Sequence, residues 1–404
     1  MKASESSDRY IGKVRECCNY AVRSAKSFAD SSNNEHRQTG GDGEAELRSS
    51  LQADLTSFCD EVDENPFGAN QKAYVVSNTL TFVFMLLSIA LAIVIPILSL
   101  NSMIFIVCVA LSLLALLAFF GAFNKTSKAV DDMNLFAKRK PTGERTQRVI
   151  LAANIDAPYK RNVTRKKEVG LKFLCFFGLL LYLAFDVVTL LLDHDVFSMG
   201  AFDSYFSYLA YPLILFLIIP IVLARSVKTG SSFPGVTGNL IGAYTAAGVM
   251  RYMSEMNLRL EHTELCVLLT SAWSTGSEGA HAFVKDYAQT LKEVDTTILV
   301  LDSLYDPESL NVTAKGRKLN KLIAQAAENG EILLTDHTPK YHKGDAKVFQ
   351  KAGIPTALIS TLPDEVPEFY RGEDDNTDLL NVRAVEGAIQ LALETAYLKD
   401  APKD

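Results

Sequence analysis

The chain has 404 residues, 48% of them apolar and 22% charged, with a formal net charge of −7. That length allows two or three domains, and an acidic balance without a basic stripe excludes a nucleic-acid footprint. Six cysteines with no CxxC spacing exclude a zinc knuckle and a disulfide framework.

The first segment, 1–72, opens on the polar "MKASESSDRYIGKVRECC". It lacks an apolar core, so no cleaved signal peptide is expected. The stretch "DSSNNEHRQTGGDGE" (30–44) reads as a flexible polar loop. The following "EAELRSSLQADLTSFCDEV" reads as a helix able to pack on a larger core.

No charged residue occurs from Ala73 to Asn124. A membrane-spanning helix needs roughly 20 apolar residues, so this run (73–124) predicts a hairpin of helices at about 75–99 and 103–123, turning at "LSLNSM". Apolar runs at Phe173–Leu192 and Tyr205–Ala224 predict a second hairpin within 170–226. Four spans in a lipid bilayer are therefore expected. The loop from Asn124 to Glu168 holds twelve Lys/Arg against five Asp/Glu, whereas "DHDVFSMGAFDS" after the third span has three Asp and no Lys or Arg. Positive charge marks the cytoplasmic side, so both termini and all long polar segments are expected there. Asp186 interrupts the third span but lies only seven residues before Asp193, which favours a place near the outer interface. An intramembrane acid is otherwise a functional candidate. The spans carry no Lys or Arg and offer little to line a transport path.

Within 125–169, "VILAANIDAPYK" reads as a buried strand ending in Asn154-Ile155-Asp156, at the edge where open α/β sheets place ligand sites. From 227 to 400, strand-length apolar runs (264–272, 296–303, 330–336, 355–361) alternate with helical patterns, among them 279–294 and 309–330. The expected fold class is α/β, a mixed and largely parallel sheet with helices on both faces, interrupted by two transmembrane α-helical hairpins.

The ordered segments resemble the zinc aminopeptidases of peptidase family M28, particularly membrane-embedded members whose catalytic domain is interrupted by hairpins. The resemblance covers Glu44 to Phe67 and Val149 to Tyr397, outside the second hairpin. It implies a two-zinc site of two His, a bridging Asp, one Glu and a further Asp, with a neighbouring Glu as general base. The corresponding letters differ here. The His-x-Asp strand end corresponds to Asn154 and Asp156. Gly238 stands at the bridging Asp, followed by the retained Asn239 in "PGVTGNLIG". Trp273 and Ser274 stand where the Glu pair belongs, Asp302 keeps its ligand position, and Arg371 occupies the last His position in "FYRGEDDNTDLLN".

One ligand of five and no general base imply a pseudo-peptidase that needs no cofactor and acts by binding. Its partner would be a peptide, another protein or a second chain in a homo- or hetero-oligomer. The alternative is an active zinc aminopeptidase with substitute donors: Asp156, Asp302, and His337 and His342 in "TDHTPKYHKGDAKVF". Asp345 is expected to cap the helix that follows it, and His281 to sit on the surface. Trp273, the chain's single Trp, is expected either to collapse the emptied cleft or to line a small apolar or peptide-binding pocket.

Overall fold

The computed structural model describes residues 2–97, 104–124, 129–196, 198, 200, 206–338 and 344–401. It separates into two compact units. One comprises Met1–Ala69, Val130–Tyr159 and Gly230–Asp404, the other Asn70–Ala129 and Lys160–Thr229. The longer helices, in chain order, are α1 (Tyr10–Ala29), α2 (Asp42–Phe58), α3 (Ala73–Ile97), α4 (Phe105–Phe119), α5 (Arg165–Asp193), α6 (Ala210–Arg225), α7 (Ile241–Glu255), α8 (Glu278–Asp286), α9 (Arg317–Asn329), α10 (Gly344–Lys351) and α11 (Val382–Asp400).

The first unit is built on a seven-stranded sheet. Its strands are β1 (Glu61–Ala69), β2 (Val130–Arg139), β3 (Gln147–Asn154), β4 (Thr263–Thr270), β5 (Asp295–Leu301), β6 (Asn311–Ala314) and β7 (Thr356–Ser360), in the spatial order β1-β2-β4-β3-β5-β7-β6. The central β4, β3, β5 and β7 run parallel. The pairs β1–β2, β2–β4 and β6–β7 are antiparallel. Every residue of β3 and β4 is buried. Helices cover both faces of such strands, which is why both read as unbroken apolar runs. On one face, α1, α2, α7, α9 and α11 enclose the larger core, reached from the sheet by Val149, Leu151, Val267 and Leu269. On the other, α8 and α10 cover Ile150, Cys266, Leu268 and Ile298.

Several expectations are corrected. The stretch 30–44 is not a flexible loop: Ser32–His36 forms a 3₁₀ turn, and Arg37, Thr39 and Glu44 are fully buried. β2 lies in the stretch 124–168 that its charge predicts to be a basic loop. Its charges fall in adjacent pairs at either end, Asp131-Asp132 and Lys138-Arg139, around the buried Leu135, Phe136 and Ala137, and Lys138 pairs with Asp63 of the neighbouring β1. The run 330–336 makes only a single bridge, Thr335 to Asn311, and leaves Leu333 82% exposed. The sheet edge beside β7 is taken instead by β6, in a stretch whose sequence predicts the start of a helix. The helix expected over 279–294 stops at Asp286 and resumes as one turn, Thr290–Glu293.

The second unit contains α3 to α6. Four spans were expected; among the described residues two helices, Ala73–Ile95 and Lys166–Asp193, are long and apolar enough to cross a membrane. Phe105–Phe119 and Ala210–Arg225 are shorter apolar helices. At about 1.5 Å per residue, the 15 residues of α4 reach about 22 Å, short of a core of roughly 30 Å. The 210–225 stretch is broken into α and 3₁₀ pieces around Pro212 and Pro220. The expected turn 98–103 lies outside the described residues. Met85, Ile89, Cys108, Leu179, Tyr182 and Leu217 form the unit's core. Gly178 permits the close approach of Phe216, whose ring a Cβ there would meet at 2.4 Å. Phe120, Phe173, Leu215 and Ile218 point outward.

Candidate functional site

The parallel strands deliver their C-terminal ends to one edge of the sheet, and β3 supplies its polar tail there. Asn154 is buried and its amide donates to the Asp156 carbonyl at 3.2 Å. The fully buried Asp156 carboxylate holds the loop after β4. Oδ1 accepts from the Trp273 amide at 2.9 Å, and Oδ2 from the Ser274 amide at 3.0 Å, the Ser274 hydroxyl at 2.8 Å and Thr39 Oγ1 at 3.2 Å. Burial pushes its carboxyl above the ordinary range even against these donors. An Asp that the family resemblance would use to orient a metal ligand instead orients a loop.

Opposite it, the turn Val236–Leu240 leads into α7 and carries Gly238 and Asn239. Asn239 donates to the Asp156 carbonyl and accepts from Arg37 Nη2 at 3.3 Å. Arg37 is wholly enclosed. Its guanidinium also donates to the carbonyls of Ile155 at 3.3 Å, Pro234 at 2.6 Å and Gly235 at 2.8 Å. Burial lowers its pKa to about 10, opposed by Asp375 and Asp156, so it stays charged at neutral pH. Gly235 has φ +54°, and a Cβ there would stand 2.7 Å from Asn239 Oδ1, so the turn requires glycine. Gly238 faces Asp375: a Cβ would lie 3.4 Å from its Oδ2. Asp375 Oδ1 accepts from the Thr237 amide and hydroxyl, each at 2.7 Å, while Oδ2 has no partner among the described residues. Burial raises the Asp375 carboxyl, against the Thr237 donors and Arg37.

The remaining positions close the same edge. The Arg371 guanidinium lies 3.3 Å from the centre of the Trp273 ring and 4.6 Å from that of Tyr370. The Trp273 indole also rests on Gly344, where a Cβ would meet Nε1 at 1.9 Å. Asp302 is buried and accepts from Ser303 Oγ at 2.6 Å. Asp345 does not cap α10 as expected. It is buried in the first turn and accepts from Thr270 Oγ1 at 2.5 Å. Its pKa rises to about 6, through burial first and the nearby charges of Asp156 and Asp302 after it.

Hydrogen bonds thus join Asn154, Asp156, Asn239 and Ser274. Arg371 joins Trp273 by stacking, and Gly238 stands beside Asp375. His337 is placed elsewhere: it is half-buried and 3.6 Å from Asp364. His342 lies outside the described residues. His281 is exposed on α8. Among the described residues, no group of three or more His, Cys, Asp or Glu converges to hold a metal ion.

A second buried acidic cluster went unread in the sequence. Ser271 Oγ faces Asp132 Oδ2 at 2.6 Å and also Glu44 Oε1, and Arg48 bonds Asp132 Oδ1 at 2.9 Å. The same Arg48 nitrogen lies 3.5 Å from Glu44 Oε1, and burial, then the charges of Asp132 and Asp156, push the Glu44 carboxyl well above the usual range. Arg37, Thr39, Glu44, Asp132 and Asp375 sit in stretches dominated by polar residues. The only sequence signal was the Asp-rich run before Thr377.

Residues 225–396 match the profile of Peptidase family M28. No curated protein matches the sequence. Among solved structures, the fold is similar to a leucine aminopeptidase precursor from Bacteroides thetaiotaomicron (TM-score 0.55, 12% identity, covering 94% of this chain and 96% of that one). It is also similar to an aminopeptidase from Aneurinibacillus sp. strain AM-1 (0.56, 10%, 96% and 95%) and to Fimbriiglobus ruber glutaminyl cyclase (0.52, 12%, 94% and 95%). At these identities the likeness concerns the fold alone.

Proposed function

We propose that this chain, whose residues 225–396 form a family M28 peptidase-like domain, is an integral membrane protein in which that domain has lost peptidase chemistry and acts by binding a peptide or protein. The stacked pair Trp273–Arg371 carries the reading. A zinc pair needs several anionic or imidazole donors around it. The resemblance puts Trp273 and Ser274 in place of two carboxylates, Gly238 in place of a third, Asn154 in place of one imidazole and Arg371 in place of the other. A guanidinium repels the cation that the imidazole would bind. Asp302 alone is left, and no cofactor enters the proposal. Beside the indole, a groove of about 300 Å³ has His281, Lys347 and Lys351 on its walls. That chemistry suits an acidic peptide or a terminal carboxylate, offered by a partner chain or by another copy.

The membrane part of the proposal is a four-helix unit with its apolar exterior in lipid, α4 and α6 completing the hairpins begun by α3 and α5. Its support is the outward-facing Phe120, Phe173, Leu215 and Ile218, together with a basic and aromatic cluster at the start of α5. There Arg161 lies 4.8 Å and Lys172 5.1 Å from the centre of the Tyr74 ring. Cations and aromatics at that level fit a cytoplasmic interface. Of the basic residues between 124 and 168, Arg139 and Arg148 are buried in the α/β unit, whereas Lys160 and Arg161 precede α5, Arg225 ends α6 and Lys228 follows it.

Metal analysis of the purified full chain, with hydrolysis of aminoacyl reporters, tests the proposal. The expected result is zinc well below one per chain, with no hydrolysis above the blank. Stoichiometric zinc that disappears in Asp302→Ala would establish instead an active aminopeptidase with unorthodox ligands.

A further inference from the structure

We infer that Asp186, clasped by Ser88 and Ser112 inside the helical unit, is a proton-binding site. The sequence favoured a place near an interface, yet the side chain is 1% exposed. It lies seven residues, about 10 Å, inside the end of α5.

Three helices converge on it. Ser88 Oγ from α3 donates to Oδ2 at 2.7 Å, and Ser112 Oγ from α4 donates to the same oxygen at 2.5 Å. The two hydroxyls are 3.3 Å apart, and Ser88 Oγ is also 3.3 Å from the Cys108 carbonyl. Both serines are themselves buried. The second carboxyl oxygen, Oδ1, is fully enclosed and has no partner among the described residues.

This arrangement is incomplete as it stands. A carboxylate in an apolar bundle needs a compensating positive charge, because two neutral hydroxyls do not replace its hydration. None of the ion pairs found among the described residues involves Asp186. The titratable groups facing it are the Cys108 thiol of α4 and the Tyr182 phenol of its own helix, which donates to the Leu213 carbonyl at 2.9 Å. Tyr74 stands in the first turn of α3, fourteen residues before Ser88 and about 21 Å away along the helix. Arg225 closes α6.

The missing charge therefore comes from outside the chain. A proton needs no room, whereas a hydrated metal ion does, and Oδ1 is enclosed. Oδ2 already accepts two hydrogens, so the proton resides on Oδ1 as a carboxylic O–H. Losing it requires water to reach Oδ1, and hence α3 and α4 to part from α5. The site binds one proton when that seam is closed and releases it when the seam opens.

The test uses dicyclohexylcarbodiimide, an apolar reagent that attacks protonated carboxyls, on the full chain in dodecyl maltoside. Mass spectrometry locates the adduct between pH 5 and pH 10, in sodium chloride or choline chloride. The expected adduct is on Asp186 and forms equally in both salts. Its rate falls about tenfold per pH unit once the pH exceeds the site's pKa. The exposed Asp193 serves as internal comparison. Absence of the adduct at every pH would overturn the inference. So would protection by sodium at fixed pH, which would assign a metal ion to the clasp. The neutral isostere Asp186→Asn should lose the adduct and melt no lower than wild type; a marked drop in melting temperature would also count against it.

Discussion

Replacing Asp345 by Asn should stabilise the chain at neutral pH. The carboxyl is wholly buried, and its pKa rises from 3.8 to about 6 on folding. A raised acid binds its proton more tightly in the folded state. Its contribution is complete below the unfolded pKa and is lost as pH climbs through about 6. A difference of about 2 pH units at 1.36 kcal/mol each amounts to about 3 kcal/mol lost between pH 4 and pH 7. The Asn amide oxygen can still accept from Thr270 Oγ1, as Oδ2 does at 2.5 Å, so the substitution removes the charge and keeps the hydrogen bond. Urea unfolding of the full chain in mild detergent, read by tryptophan emission, measures the effect. The single Trp, Trp273, packs against Gly344, the residue before Asp345, and so reports from beside the substitution. Wild type should lose about 3 kcal/mol more than Asp345→Asn across that pH range. Parallel profiles for the two proteins would refute the reasoning, because other raised acids contribute equally to both.

Arg37→Met should cost about 3–5 kcal/mol in the same urea assay, since it strips buried donors from three carbonyls and Asn239. Gly344→Ala forces a methyl into the Trp273 indole at a nominal 1.9 Å. It should shift the emission maximum and lower stability by about 1–3 kcal/mol. Glu44→Gln removes a carboxyl that burial holds well above its usual range. Its unfolding midpoint should exceed that of wild type at pH 8 and match it at pH 4.

The parallel strands β3, β4, β5 and β7 were legible because strands covered on both faces must be apolar throughout, and such runs stand out in any sequence. The flanking strands were not. β2 is written VDDMNLFAKR and β1 EVDENPFGA. Their charges are compatible with a sheet because distant partners meet them: Lys138 pairs with Asp63, Asp132 with Arg48, and Arg139 donates to the carbonyls of Phe58, Met253 and Leu258. The same limit hid the floor of the site. Arg37 and Glu44 sit in a stretch whose polarity signals a solvated loop, and their burial depends on acceptors and donors more than one hundred residues away, Ile155 and Ser271 among them. In the helical unit, apolar content was obvious, but the length and continuity of each helix were not. Pro212 and Pro220 lie in a stretch that alternates α and 3₁₀ turns.

By itself the sequence determined the α/β class, the apolar segments and the letters standing at the resemblance's metal positions, since each follows from local composition or from order along the chain. Tertiary structure alone decided what those letters do. It stacked Arg371 on Trp273, saturated Asp156 with loop donors and drew Asp186 into a clasp of two serines. Hydrogen bonds, stacking and desolvation depend on which distant groups meet at a few ångströms, and that distance is set only when the chain closes on itself.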